Sequence, residues 1–470
     1  MTESIQAKEA LFATLPAPWK EDLASSIGSQ LKTLSRNLVV LDDDPTGTQT
    51  VHGVPVLTEW TVPALAAELD RSPVFYILTN SRSLDTARAE ALAREIGANL
   101  QAAAEKAQRS LAVASRSDST LRGHFPAEVD ALAEGLGGGF SGTIVVPFFE
   151  EGGRFTIDDV HYVQQGEKLV PAAQTEFAKD KSFGFSHSNL TRYVEEKSGG
   201  RIRAGEVVRI TLDDLRQAGA GAVAAKLEAM PPGGTAIVNS ACYRDQEVFV
   251  SGLLAAETAG KRFLYRCAAS FVRVRGGIAP RPLLSAAEMR SESTSGGLVV
   301  VGSYVARSSE QLERAVTLPG VTPVELQVEK MIDAGQRGEE IERVARQVNE
   351  TLESGADVVL FTSRDLKAGH SQAENLSIGS QVSEGLCTVV ESLRHRPGYL
   401  IAKGGITSSD VATRALGVKR AMVLGQIQPG VPVWRLGDEA KFPGMAYVVF
   451  PGNVGDADSV AHCMSLFRED

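Results

Sequence analysis

The sequence has no apolar run approaching the ~20 residues of a membrane-spanning helix, which excludes a spanning segment. Its four cysteines, Cys242, Cys267, Cys387 and Cys463, are scattered, with no CxxC pair and no His pair beside them. Neither a zinc site nor a disulfide framework follows, and free thiols point to a reducing cytoplasm. Positive charge is in deficit: the formal net charge is −10 and the pI is near 5.4. That balance argues against a nucleic-acid binder or a binder of anionic membranes. The opening stretch, MTESIQAKEALFATLPAPWKEDL, lacks a basic start followed by an apolar segment, so no secretory signal is expected. Two nucleotide signatures are missing as well. No GxxxxGK[ST] occurs, which excludes a P-loop NTPase, and no GxGxxG follows a strand, which disfavours a dinucleotide oxidoreductase.

What remains is a cytoplasmic chain of 470 residues, too long for one ordinary core, so two unequal domains are expected. Short apolar strands alternate with longer helical segments, the mark of a mostly parallel sheet. In the first half the strands fall at 38–41, 74–79, 111–115, 143–147, 235–239 and 263–267, with Ala-rich helices at 86–108 and 212–229. Residues 1–35 read as a helical extension broken by Pro16 and Pro18. Residues 150–190, rich in charge, glycine and aromatics, read as an excursion of loops and short strands that covers or borders a site. A Pro-, Ser- and Gly-rich linker lies within 276–296. The expected division is an extension 1–35, a first domain 36–280, a linker 281–296 and a second domain 297–470. The second domain repeats the alternation, with strands at 298–301, 322–327, 357–361, 399–402, 420–427 and 446–450. Its helices are 308–318, 328–354, 376–396 and 408–416. The fold class is therefore two α/β domains with mostly parallel sheets, and an active-site cleft between the domains is expected.

The strand exits carry the chemistry. Leu38–Leu41 runs into Asp42, Asp43 and Asp44, then into Pro45 and Gly47, which turn the chain. Three adjacent carboxylates repel one another and need a cation, hydrogen-bond donors or water. An ordinary solvated turn does not need three. The next exits supply Arg82 and the run Arg116-Ser117-Asp118-Ser119-Thr120-Leu121-Arg122-Gly123-His124. Arg82, Arg116 and Arg122 could take a substrate carboxylate bidentately, or join an ion-pair network with the aspartates. Ser117, Ser119 and Thr120 suit polyol hydroxyls, and Asp118 suits the orientation of the loop or of an Arg. His52 and His124 lie near these loops and fit structural roles better than catalytic ones.

The second domain's exits are glycines and hydroxyls instead. In Lys403-Gly404-Gly405-Ile406-Thr407 a strand ends, backbone amides are exposed and a helix begins, a natural phosphate site. Thr407 with Asp410 fits a capping box, and Gly417 fits the far end of that helix. Pro451-Gly452-Asn453-Val454-Gly455 repeats the device, and Gly302-Ser303 precedes a helix capped by Ser308 with Gln311. Three such turns in one domain favour a nucleotide or another polyphosphate.

These motifs together resemble the four-carbon acid sugar kinases, over both domains from about Leu38 onward. Asp43-Asp44-Pro45-Thr46-Gly47 is similar to that family's ADDxTG signature, and Ser117-Asp118-Ser119-Thr120-Leu121-Arg122-Gly123 to its DSTLRG loop. Gly302-Ser303, Gly404-Gly405-Ile406-Thr407 and Gly452-Asn453-Val454-Gly455 are similar to its ATP-binding elements. The resemblance implies an N-terminal substrate domain and a C-terminal nucleotide domain. It also implies ATP-dependent phosphorylation of acids such as threonate, erythronate or 3-oxo-tetronate. On that reading Mg-ATP donates to a terminal hydroxyl, and Asp43 or Asp44 accepts the hydroxyl proton. Arg82 and Arg122 hold the acid group, with Asp42, Ser117, Asp118, Ser119 and Thr120 around it. Ser303, Gly404, Gly405, Ile406, Thr407, Gly452, Asn453, Val454 and Gly455 hold the nucleotide. The Mg²⁺ ligands are unassigned, and self-association into a homo-oligomer stays open. Asp42 in place of the signature's Ala, the GTQTVHG that follows, and the 150–190 excursion set the chain apart, and its acid need not have four carbons. The rival class is a non-catalytic sugar-acid or nucleotide sensor on the same two domains.

Overall fold

The computed structural model describes residues 3–290, 293–364 and 372–468, the side chains of 372–377 excepted. The chain divides into two units, Met1–Pro280 and Arg281–Asp470.

The first unit contains β1 (Gln6–Ala7), β2 (Arg36–Asp42), β3 (Val54–Leu57), β4 (Val74–Leu78), β5 (Ser110–Arg116) and β6 (Gly142–Val146). It continues with β7 (Arg154–Ile157), β8 (Val160–Gln165), β9 (Lys168–Pro171), β10 (Val208–Ile210), β11 (Gly234–Val238) and β12 (Phe263–Cys267). An all-parallel run orders them β10-β11-β6-β12-β5-β2-β4-β3. Leu38, Val39, Val40 and Leu41 of β2 are all buried, as a central strand covered on both faces requires. After β2 the chain builds β3 and β4 on one side and then crosses to β5 on the other. Their carboxyl ends diverge at that switch, where α/β sheets open a crevice.

The 150–190 excursion is a small antiparallel sheet, β1-β9-β8-β7. It recruits the first residues of the chain, so the helical stretch broken at Pro16 and Pro18 is docked on this sheet at its start. Gln6–Ala7 pairs with β9, and Phe12 packs edge-on against Phe155 at 5.3 Å. Only Lys8–Ala13 and Ala24–Leu34 are helical there.

The second unit contains β13 (Leu298–Val301), β14 (Val321–Leu326), β15 (Asp357–Thr362), β16 (Leu400–Lys403), β17 (Arg420–Gln428), β18 (Val431–Leu436) and β19 (Ala446–Phe450). Their order is β17-β18-β19-β16-β13-β15-β14, antiparallel among the first three and parallel thereafter. Residues 281–296, expected as a linker, belong to this unit. Leu284 and Met289 are buried in its core beside Val299 and Ile401, and Leu284 N donates to Gln426 O. Two apolar anchors outweigh the Pro- and Ser-rich composition around them. The helical stretch 328–354 breaks in two, Val328–Ile332 and Arg337–Glu353, at the Asp333–Gln336 turn.

Candidate active site

At the switch of the first unit the three aspartates face three different environments. Asp42 is 1% exposed, its Oδ1 2.9 Å from Arg116 Nη1. A Cβ at position 47 would lie 2.1 Å from the Asp42 carboxylate, so only glycine lets the turn close over it. Burial pushes the Asp42 carboxyl up to about 7 against the pull of Arg116, with Asp43 and Asp44 adding to the rise. Asp43 accepts from Arg82 Nη2 at 3.0 Å through one oxygen and from Ser117 Oγ at 2.5 Å through the other. Asp44 spends Oδ1 on the amide and hydroxyl of Thr46, at 2.9 and 2.5 Å, and caps the short helix Pro45–Thr48. Among the described residues its Oδ2 meets only Arg82, at 3.4 Å, and its side chain is 20% exposed against 2% for Asp43. Burial opposes the Asp44 charge, but Arg82 and Thr46 overcome it and hold the carboxyl below its ordinary value. Asp44 is thus ionised and the most open of the three.

The loop after β5 wraps the same centre. Asp118 accepts from Arg122 Nε at 2.6 Å and from the Thr120 hydroxyl, and it lies 3.9 Å from Arg82. Burial works against its charge, yet Arg122 and Arg82 hold it well below the usual carboxylate range. Gly123 has φ +118°, and a Cβ there would sit 2.6 Å from both Ser117 Oγ and Arg266 Nη2. Arg266, from β12, reaches Arg122 O at 3.2 Å and Glu128 at 3.5 Å. The network therefore brings together Asp42, Asp43, Asp44, Arg82, Arg116, Ser117, Asp118, Thr120 and Arg122. The Ser119 hydroxyl has no protein partner among the described residues, while the Ser119 carbonyl accepts from buried His161 at 2.7 Å. Arg82 and Arg122, read as holders of an acid group, are each already paired with aspartates. His124 Nε2 lies 3.1 Å from the Ser81 and Leu84 carbonyls, and burial lowers its affinity for a second proton. His52 Nε2 lies 2.9 Å from Ala279 O. Both fill structural roles.

Sequence reasoning missed the residues that the excursion delivers. Phe177 lies under Arg122, with 5.1 Å from guanidinium to ring centre, and Asp180 lies 3.8 Å from the same Arg. Arg154, the first residue of β7, also lies over the Phe177 ring, at 6.0 Å. The signal was the length of the excursion; which of its residues turn inward was not legible without the sheet.

In the second unit the exits of β13, β16 and β19 converge. Ser308, expected as a cap, sits in the first turn of the helix Ala306–Ala315, whose N-cap is Val305. Its hydroxyl bridges instead, to Ser303 Oγ at 3.0 Å and Gly452 O at 3.2 Å. Gln311 Nε2 donates to Val454 O at 3.0 Å and Asp456 O at 2.6 Å. The Ser and Gln of the expected capping box tie two loops together. Thr407 is likewise no cap. The helix already starts at Gly405 with Gly404 as N-cap, and Thr407 is buried with its hydroxyl against Gly302, where a Cβ would lie 2.2 Å away. Gly404 has φ +113°, and a Cβ there would come within 2.9 Å of Ser303 Cβ. Gly417, at φ +62°, follows the far end of this segment. Ile406 is 58% exposed, whereas Gly455, at φ +83°, packs against Ser459. Two cations complete the site. Lys403 is fully buried and donates to Pro451 O at 2.5 Å and Gly452 O at 3.1 Å, 4.2 Å above the Phe450 ring. Arg364 donates to Ser303 O at 2.9 Å and Ser309 Oγ at 2.5 Å.

The comparisons divide the chain at the same place as the chemistry. The family model of a sugar-binding N-terminal domain matches residues 38–275, and that of a nucleotide-binding C-terminal domain matches 298–460. The chain belongs to the four-carbon acid sugar kinase family. A D-erythronate kinase of Heliobacterium modesticaldum is 27% identical to this family member over 460 residues, which is 91% of this chain and 96% of that one. A solved Salmonella typhimurium LT2 protein shares the fold at 18% identity and a TM-score of 0.66, covering 92% of this chain and 98% of its own. A Haemophilus influenzae protein does so at 17% and 0.59, covering 91% and 100%. Among the described residues no helix is long and apolar enough to cross a membrane, and no group of three or more His, Cys, Asp or Glu is placed to hold a metal ion.

Proposed function

We propose that the protein transfers the γ-phosphoryl group of Mg-ATP to a terminal hydroxyl of a small sugar acid of the threonate, erythronate or 3-oxo-tetronate type. The observation that carries this reading is Asp44. It is an ionised carboxylate with one committed oxygen and one open one, at the sheet switch of a sugar-binding domain, in a chain whose other unit is a nucleotide-binding domain. Phosphoryl transfer asks a protein mainly for positioning and charge stabilisation, plus a carboxylate to take the proton of the attacking hydroxyl. Asp44 Oδ2 takes that proton, while Asp43, gripped by Arg82 and Ser117, fixes the geometry. Asp42 lies behind both, closed off by Gly47, and supports the turn without reaching substrate. The substrate hydroxyls lie along Ser117, Asp118, Ser119 and Thr120.

On the donor side Ser303, Gly404, Gly405, Ile406, Thr407 and the 452–455 turn cradle the nucleotide, and Arg364 supplies positive charge at the Ser303 end. Mg²⁺ enters with ATP as part of the substrate. The aspartates are already compensated by Arg82 and Arg116, so the metal would be held by the nucleotide's phosphates, whose charge it would neutralise, rather than by a protein cage. ADP release measured over a panel of C4 to C6 sugar acids tests the proposal. Acid-dependent ADP release supports it. Binding of both ligands without turnover would leave a sensor in its place.

A further inference from the structure

Pairing the charges of the first unit's site leaves one guanidinium without a partner among the described residues. Arg82 pairs with Asp43 and Asp44, Arg116 with Asp42, Arg122 with Asp118, and Arg266 with Glu128, all at 3.5 Å or less. Arg154 makes no ion pair with any described residue. Its Nε is sealed from solvent without a hydrogen-bond partner, and its guanidinium lies over the Phe177 ring, which Arg122 also contacts. Asp118 and Glu176 influence it only from beyond ion-pair range, and Arg122 repels it.

An arginine stays protonated at any physiological pH, so the charge cannot be removed by titration. Burying it without an anion is unfavourable, and a face-on aromatic contact returns only a part of what is lost. Burial accordingly holds the Arg154 guanidinium below its ordinary proton affinity. The Arg side chains read from sequence as acid holders cannot fill the gap, because each already faces aspartates. What Arg154 lacks is an anion at the guanidinium's free Nη edge, near the loop that carries Asp118. A carboxylate fits that edge with two parallel hydrogen bonds.

We propose that Arg154 is the specificity-determining residue that takes the substrate's carboxylate, with Phe177 packed against the guanidinium. This inference rests on the sugar-acid reading above, which it deepens. The excursion then does more than border the site, since it carries the group that distinguishes an acid from the corresponding neutral polyol.

The test is direct titration of the nucleotide-free protein with erythronate, threonate and the neutral polyol erythritol, alongside steady-state ADP release. In Arg154→Gln the dissociation constant for the acid should rise by about 100-fold or more, while weak erythritol binding stays within twofold. Arg154→Lys keeps the charge but loses the fork, and should recover part of the affinity. It also serves if the Gln variant fails to fold. Acid binding within twofold of wild type in either folded variant would overturn the assignment. A wild type that prefers acid over polyol through Arg154 yet releases no ADP would keep this inference and remove the kinase reading. A wild type that turns over acid with an unchanged KM in Arg154→Gln would do the reverse. A wild type that binds none of the acids would remove both.

Discussion

In the first unit the strand exits end in side-chain charge; in the second, the same kind of exit ends in glycine, hydroxyl and carbonyl. Asp42, Asp43, Asp44 and Asp118 are braced by Arg82, Arg116 and Arg122. Gly302, Gly404 and Gly452 instead bring Ser303 and Thr407 to within contact of the neighbouring backbone. The difference follows from what each ligand offers. A small acid gives few atoms to hold, and its hydroxyl must lose a proton, so formal charges must stand at fixed distances around it. A polyphosphate offers many oxygens along a chain, and amides exposed by close-packed turns can follow it without a dedicated counter-charge for each. A charged site fails when one charge is removed; a backbone site fails when the backbone can no longer adopt its path.

The largest effect should come from removing charge on the first side. Asp44→Asn keeps the oxygen that caps Pro45–Thr48, since Asn caps as well as Asp, and removes only basicity. Turnover should fall by ~10²-fold or more with nucleotide affinity unchanged. Steady-state ADP release combined with nucleotide titration would show it. If Asp44→Asn is nearly as fast as wild type and Asp43→Asn is not, the proton acceptor is Asp43, and the contrast between a braced and an open carboxylate loses its meaning.

On the second side the matching perturbation is steric. Gly404→Ala forces an L side chain into φ +113° and pushes its Cβ to 2.9 Å from Ser303 Cβ. Strain of this kind costs about 1–3 kcal/mol, so ATP affinity should weaken by about tenfold. Acid binding to the first unit should be untouched. Equal losses of both ligands in a folded protein would break the division of labour. The position matters: Gly404, not Gly405, has the left-handed backbone.

How much of this was legible from sequence depended on whether the cause was local. The central strands and the aspartate exit were readable because β2, β4, β5 and β13 are short, continuous apolar runs followed at once by a change of chemistry. The overlooked β3 and β18 each contain an internal proline, Pro55 and Pro432, which reads as a break although the strand continues through it. The capping boxes failed for a tertiary reason. Ser308, Gln311 and Thr407 have the spacing of caps, but the donors and acceptors they meet belong to loops more than a hundred residues away in sequence or to the closed turn at Gly302. Arg82 and Arg122 looked free because nothing in a linear chain shows which aspartate a guanidinium will find. Arg154 was hidden for the converse reason: its lack of a partner exists only once all the others have been assigned.

The smallest effect, and the most specific to the second side, concerns Lys403. It is buried among the glycine turns, and it acts there as a tie between strand exits by donating to Pro451 O and Gly452 O. Burial holds its amine down to about 7, with Arg307 working in the same direction and Cys463 against it. Because this folded value lies below the ordinary 10.5, the unfolded chain carries a proton between about pH 7 and 10.5 that the folded chain does not. Stability contributed at this site therefore rises with pH across that window, and below about 7 the cost of the buried charge is present in full. Lys403→Met removes the slope and leaves two carbonyls without a donor, at about 1–3 kcal/mol for an unsatisfied buried group. At pH 7 the two effects oppose each other, and the melting temperatures of variant and wild type should agree within about 3 °C. Toward pH 9.5 the wild type is relieved of its charge and the variant gains nothing, so the variant should fall progressively behind. Calorimetric scans at pH 6.5, 8 and 9.5 would resolve the trend. Parallel pH profiles for the two proteins would mean that Lys403 keeps its proton throughout. The second side would then hold a second fixed charge beside Arg364, buried at its strand exits.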